Sequence, residues 1–312
     1  MTPSAETRRP GIRSGLRLRM SSAHRGVQGI DPRVVPAPDH HTARVVDESA
    51  ADAPAVPAGR SPSHVRHHRE REKPMSESPT IVLVHGAFAD AASWAPVTAR
   101  LLREGYTVLV PPVFNRSLSG DSAYIKSFVE QIDGPVLLAG HSYGGAVITV
   151  AGVAENVVGL VYVAGYALDE GESLGQLQGG FPDSELAANL VYAPYPVEGG
   201  EPGTDVSVKS DAFPQVFAAG VDPEAARVLA VSQRPLSAVA FGEPASVAAW
   251  KTKPAWGIVS SADHTINPDV ERFGYQRAGV RKVIEIDAPH LVMQTHPAEV
   301  ADVITAAIAE LG

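Results

Sequence analysis

The chain has 312 residues, 44% of them hydrophobic and 20% charged, with a formal charge of −9, a globular composition that by itself selects no function. Before Met75 lie 13 of the 26 Lys and Arg but only 8 of the 35 Asp and Glu, which leaves the remainder near −14; an acidic body argues against a nucleic-acid partner, because phosphate binding needs clustered cations. Cys is absent, which excludes disulfides, thiolate metal sites and a cysteine nucleophile.

Residues 1–74 are rich in Arg, Pro, Ala, Ser and His and hold no periodic run long enough to bury a face. They are expected to form a disordered extension, with "MSESPTIVLVHG" suggesting a natural start at Met75. The Arg- and Ser-rich first 30 residues also fit an organelle transit peptide, and His64, His67 and His68 a metal; a solvated charged tail accounts for both stretches. No run approaches the roughly 18 apolar residues of a membrane span, and the N-terminal residues lack an apolar signal core, so no membrane partner and a cytoplasmic location are expected.

From Thr80, β-branched runs alternate with helical patterns, the sequence form of a parallel sheet covered on both faces. The first strand, "TIVLV" over 80–84, runs into "HGA", and a helix over 93–104, a strand over 106–110 and a helix over 122–132 follow. "PVLLA" over 135–139 leads into "GHSYGG", after which the pattern predicts a helix over 143–154 and a strand over 157–163. The rhythm then stops. Residues 167–250 carry loop signals such as "PYPVEGGEPG" and helical pieces such as "SELAANL", and are expected to form a mainly helical cap over the carboxyl edge of the sheet. Strands over 255–259 and 282–286 flank a helix over 268–278, and the last helix, 297–310, places Val300, Val303, Ile304, Ala307 and Ile308 on one face. The fold class is therefore α/β, a doubly wound and mostly parallel sheet, with the core in 75–166 and 251–312 and the cap in 167–250.

Ser142 in "GHSYGG" sits between a predicted strand and a predicted helix, the context in which G-x-S-x-G presents a nucleophile on a strained turn. Gly140 and Gly144 spare that turn a clash, and the helix opening at Tyr143 aims free N–H groups at a developing oxyanion. A serine hydroxyl needs a base. His290, in "IDAPHLV" beyond the last strand, is in reach of the elbow; His85 reads as structural, His141 as pointing to the other side of the turn, and His296 as a helix-opening or surface residue. For the orienting acid, Asp263 follows the strand before the last, and Ser142, Asp263, His290 is the chain order this elbow type requires. Asp169 is the alternative acid, while Asp269 and Asp287 read as a helix-start and a strand-end residue. A second oxyanion donor is expected from the N–H of Ala87, which Gly86 brings close to the nucleophile. Phe88 beside that loop, Gln233 in "SQRP" and Leu291 after His290 are candidate pocket residues, and Trp94, Trp250 and Trp256 read as packing.

With "VLVHGAFAD", "SW", "GHSYGG" and the late Asp263 and His290, the chain from Thr80 onward resembles the α/β-hydrolase fold family. It is similar in particular to small bacterial serine esterases, and more distantly to the plant methylesterase and hydroxynitrile lyase branch. The resemblance implies two-step acyl transfer on a small-molecule ester, with no metal and no cofactor. Ser142 argues against the Asp nucleophile of dehalogenase and epoxide hydrolase relatives. Leu291 and Gly86 stand where the lyase branch has Lys and Thr, which points to an esterase. A lactonase or cofactor-free perhydrolase on the same triad, or a non-catalytic ligand-binding member of the fold, are the other readings.

Overall fold

A computed structural model of the chain describes residues 78–312. The expected disordered extension, the start at Met75 and the His64, His67, His68 cluster lie outside the described residues. Chain order is β1 (Thr80–Val84), α1 (Ala95–Arg103), β2 (Val108–Leu109), α2 (Leu118–Val129), β3 (Val136–His141), α3 (Tyr143–Ala151) and β4 (Val157–Val163). The cap region then gives α4 (Leu174–Gln178), β5 (Leu190–Tyr195), β6 (Gly203–Val208), α5 (Phe213–Val216), α6 (Pro223–Ser232), β7 (Leu236–Ser237) and α7 (Ala238–Gly242). The core resumes with β8 (Ala255–Ser260), α8 (Pro268–Arg277), β9 (Lys282–Ile286), α9 (Val292–Thr295) and α10 (Pro297–Leu311).

Six strands form one parallel sheet in the order β2-β1-β3-β4-β8-β9, flanked by helices. Every residue of β3 and β8 is buried, which is why these strands read as near-continuous apolar runs. β9 is an edge, with Lys282, Val283 and Glu285 exposed. β2, expected over 106–110, pairs only as Ile81 with Val108 and Val82 with Leu109. The reason is local: Pro111 and Pro112 follow at once, and proline cannot donate to a ladder.

Helix starts follow capping chemistry that hydrophobic periodicity does not register. α2 begins four residues earlier than predicted because Ser117 Oγ accepts the Gly120 N–H at 3.1 Å. The helix predicted from Ser93 opens instead as a 3-10 turn, Ala91–Trp94, whose N-cap Asp90 accepts the Ala92 N–H at 2.8 Å. α10 keeps its predicted face, with Val300, Val303, Ile304 and Ala307 buried and Ile308 half-buried.

The cap carries more helix than strand, as expected, but it is not purely helical. β5, β6 and β7 form a three-stranded antiparallel sheet, with Leu190 opposite Val208 and Tyr195 opposite Gly203 in the hairpin. "PYPVEGGEPG" hid this strand pair, because its Gly and Pro mark the hairpin turn while Pro194 and Tyr195 already belong to β5. Arg116, in the loop after β2, ties the cap down through Asp205 at 2.7 Å and the Pro235 carbonyl at 3.0 Å. Among the described residues no helix is long and apolar enough to cross a membrane.

Candidate active site

β3 delivers its chain straight into α3 through a single residue, Ser142, at φ 55° and ψ −123°. That is left-handed territory which costs a non-glycine residue about 1–3 kcal/mol, and the crowding around it shows how the strain is held. A Cβ on Gly140 would come to 2.4 Å from the Gly144 carbonyl oxygen, one on Gly144 to 2.4 Å from the Val84 carbonyl oxygen, and one on Gly86 to 2.7 Å from Ser142 Cβ. Glycine is therefore required at all three positions. Gly165, not singled out from sequence, makes a fourth such contact, 2.9 Å from the Ser142 nitrogen.

The loops after β8 and β9 run side by side, with the Ser261 N–H donating to Ile286 at 2.9 Å and the Ala262 N–H to Ala288 at 3.1 Å. Their alignment brings Asp263 to His290, both with fully buried side chains, and His290 Nδ1 donates to Asp263 Oδ2 at 2.6 Å. Asp263 Oδ1 accepts the N–H groups of Thr265 at 2.6 Å and Ile266 at 3.0 Å. Three N–H donors thus converge on the carboxylate and fix its orientation. His290 Nε2 is buried and makes no hydrogen bond, Ser142 Oγ included. The pair is an oriented imidazole whose second nitrogen is free to accept a proton. Asp169, the alternative acid, is instead a surface partner of Lys251 at 2.7 Å, and that ammonium holds its carboxyl below the ordinary range.

His141 is fully buried, its ring 4.6 Å from that of His290, and its Nε2 donates to the His290 carbonyl at 3.0 Å. It therefore fastens the His290 loop to the elbow. Burial holds His141 well below the usual imidazole range, and the neighbouring His290 adds to that. His85 joins two loops, donating from Nδ1 to the Gly86 carbonyl and accepting the Val113 N–H at Nε2, each at 2.9 Å. One donor and one acceptor require a neutral ring, and burial lowers its proton affinity accordingly. His296 stands at the N-terminus of α10, half-buried, and makes no side-chain cap.

Ala87, Phe88, Ser142 and Tyr143 line one cavity of about 360 Å³, a size typical of small-molecule sites. Among the described residues, neither the Ala87 nor the Tyr143 N–H has a protein acceptor, whereas the Phe88 N–H is engaged by the Arg234 carbonyl at 3.0 Å. The Tyr143 hydroxyl donates to Asp121 Oδ2 at 2.7 Å, which pins the first turn of α3 to α2. Two expected pocket residues are elsewhere. Gln233 is latched to the cap sheet, accepting the Val208 N–H and donating to the Val208 carbonyl, both at 2.8 Å. Leu291 is buried in the core and is not part of the cavity's lining. Trp94, Trp250 and Trp256 also stay outside the lining. The cap supplies most of the rest, including Leu174, Leu186, Leu190, Val206, Leu236 and Phe241. Tyr166 and Gln178, joined at 2.7 Å, are polar liners that no local motif announced. Glu271 was also missed. It is fully buried on α8, at helical spacing from buried Gly274 and Tyr275, so a carboxylate on the apolar face was the available signal. Among the described residues no three His, Asp or Glu side chains are placed to hold a metal.

A parallel sheet whose third strand turns through a strained serine into a helix, with an Asp–His pair on the loops of its last two strands, defines an α/β-hydrolase fold. The sequence pattern of the alpha/beta hydrolase family matches residues 81–303, and the chain belongs to that family. A carbendazim hydrolyzing esterase from Nocardioides sp. (strain SG-4G) is 32% identical over 126 residues, which cover 35% of this chain and 51% of that protein. The chain thus matches about half the length of that curated relative. The crystal structure of polyneuridine aldehyde esterase superposes with a TM-score of 0.65 at 19% identity, over 74% of this chain and 99% of that one. A pyrethroid hydrolase from Sphingobium faniae JZ-2 gives 0.59 at 19% identity, over 74% and 97%, and a methylesterase from Arabidopsis 0.62 at 17%, over 74% and 99%. These likenesses show the shared fold.

Proposed function

We propose that the protein is a serine hydrolase of carboxylic esters. The observation that carries this reading is the buried 2.6 Å Asp263–His290 hydrogen bond beside a serine held at φ 55°. Ser142 Oγ attacks the ester carbonyl while His290 Nε2 takes its proton, and Asp263 keeps the proton on Nδ1 and stabilises the imidazolium. The N–H groups of Ala87 and Tyr143 receive the oxyanion, helped by the positive end of α3. His290 then protonates the leaving alcohol, and a water activated by the same ring releases the acid. The missing Ser142–His290 hydrogen bond is compatible with this sequence, because such bonds commonly tighten only when substrate binds.

The cavity points to neutral, largely apolar esters. Its lining holds no Lys, Arg or His, and its one charged side chain is Asp183. An anionic acyl group would lose hydration and gain no counter-charge. Relatives named as esterases support the reaction class.

The test is a panel of p-nitrophenyl acyl esters on wild type and Ser142→Ala, with medium-length neutral chains compared against ω-carboxylated ones. Wild type is expected to prefer the neutral esters, and Ser142→Ala to lose at least about 10⁴-fold in kcat. Turnover that survives Ser142→Ala refutes the nucleophile. Melting shifts with ligand but no turnover and no phosphonate labelling of Ser142 would make the protein a receptor instead.

A further inference from the structure

Behind the Asp263–His290 pair lies a second carboxyl group that the proposed reaction does not use. Glu271 on α8 is fully buried; its Oε2 accepts the Ser260 N–H at 3.1 Å, and its Oε1 is buried with no hydrogen-bond donor directed at it. The Asp263 carboxyl lies within hydrogen-bonding reach of Glu271. Asp263 receives three N–H donors, from His290, Thr265 and Ile266. An ionised carboxylate offers about four lone-pair sites, so one is left.

Two carboxyl groups in contact in a dry interior cannot both be ionised without a cation between them. Among the described residues no Lys or Arg lies between them: Arg272, the adjoining residue, turns outward to Glu285 and Asp269, and the imidazole of His290 meets Asp263 through its Nδ1–H alone. One proton must sit on the pair. Three donors stabilise the charge on Asp263 and a single donor that on Glu271, so the proton belongs to Glu271.

We propose that Glu271 is a positioning residue: its Oε1 carries a proton and donates it in a hydrogen bond to the remaining acceptor site of Asp263. No bond is made or broken. The contact fixes the carboxylate that orients His290 and satisfies an oxygen otherwise orphaned in the core. Burial pushes the Glu271 carboxyl well above its ordinary range, and the charge on Asp263 adds to that. The other groups facing it are Arg272, whose charge opposes the shift, and the phenols of Tyr166 and Tyr275, both held neutral by burial. The proposal rests on the esterase reading for its catalytic consequence, and on the fold alone for the proton.

The experiment uses the full chain with Glu271→Gln and Glu271→Met. An amide can accept from Ser260 and donate to Asp263 at once, so E271Q rescues the turnover that E271M loses. E271M is expected to lower kcat on a p-nitrophenyl ester about 10- to 100-fold with KM nearly unchanged, since Glu271 is not in the cavity lining. Independently of activity, melting is followed from about pH 5 to 9. A carboxyl raised in the folded state loses its stabilising contribution as pH rises above the free value of about 4.3, so wild type should lose melting temperature relative to E271Q across that range. E271Q as damaged as E271M, or a wild-type to E271Q melting gap that does not change with pH, overturns the proposal. If no form hydrolyses any ester, the esterase reading fails, and the melting comparison still decides where the proton sits. E271M unfolded leaves the E271Q comparison to decide both points.

Discussion

Gly86 shows how a position with no chemistry of its own governs the placement of the proposed nucleophile, Ser142. A methyl group there would stand 2.7 Å from Ser142 Cβ and 2.9 Å from the His141 carbonyl oxygen, both part of the elbow. Neither can yield without moving the serine. Gly86→Ala is therefore expected to lower kcat/KM about 100-fold, the cost of a displacement near 1 Å, and to slow phosphonate labelling of Ser142 in parallel. Unchanged labelling would mean that the elbow tolerates the shift. The strained serine with Gly140 and Gly144 was readable from "GHSYGG" and Gly86 from "HGA", whereas Gly165 meets the serine only once β4 is laid beside β3. Glu271 was not readable either: from sequence it is one more acid on an amphipathic helix, and only the packing of α8 on β8 removes it from water.

At the scale of the elements, the cap was the least readable segment, and Gln233 explains why. Its position in a turn-like "SQRP" suggested a side chain free to reach the site. In the folded chain the amide closes the end of α6 onto β6 with three hydrogen bonds, two to Val208 and one to the Ala230 carbonyl at 2.9 Å. Gln233→Leu should cost about 1–3 kcal/mol, as expected when a backbone N–H is left without its partner. The checking measurements are melting temperature and KM; a raised KM at unchanged stability would return Gln233 to the pocket. Strands in the cap pair across loops, so their partners are not encoded in any one run. The core strands β1 and β4 were predicted to the residue because burial on a sheet leaves an apolar run that needs no knowledge of the partner, and the exposed edge strand β9 from its β-branched residues Val283, Ile284 and Ile286.

Taken whole, the molecule buries two neutral imidazoles, His85 and His141, whose rings each link separate loops. Both are held below the usual imidazole range by burial. In the unfolded chain they take up protons below about pH 6.5, and in the folded chain they do so only at lower pH. Their contribution to stability is thus present above the unfolded value and lost as pH falls. The melting-temperature gap between wild type and His141→Gln should narrow as pH is lowered from about 7.5 to 5. A gap that stays constant would show that His141 is not the acid-sensitive group.

The order of Ser142, Asp263 and His290, the parallel sheet and the place of the inserted cap follow from the sequence, because strand burial, helix periodicity and elbow chemistry are all short-range along the chain. Only the tertiary structure placed Asp263 against His290 and Asp169 against Lys251, showed the cap to hold a sheet, and took the Glu271 carboxyl out of water. Each of those outcomes depends on which side chains lose their water and what they meet when they do, and that is a property of contacts between segments far apart in the chain.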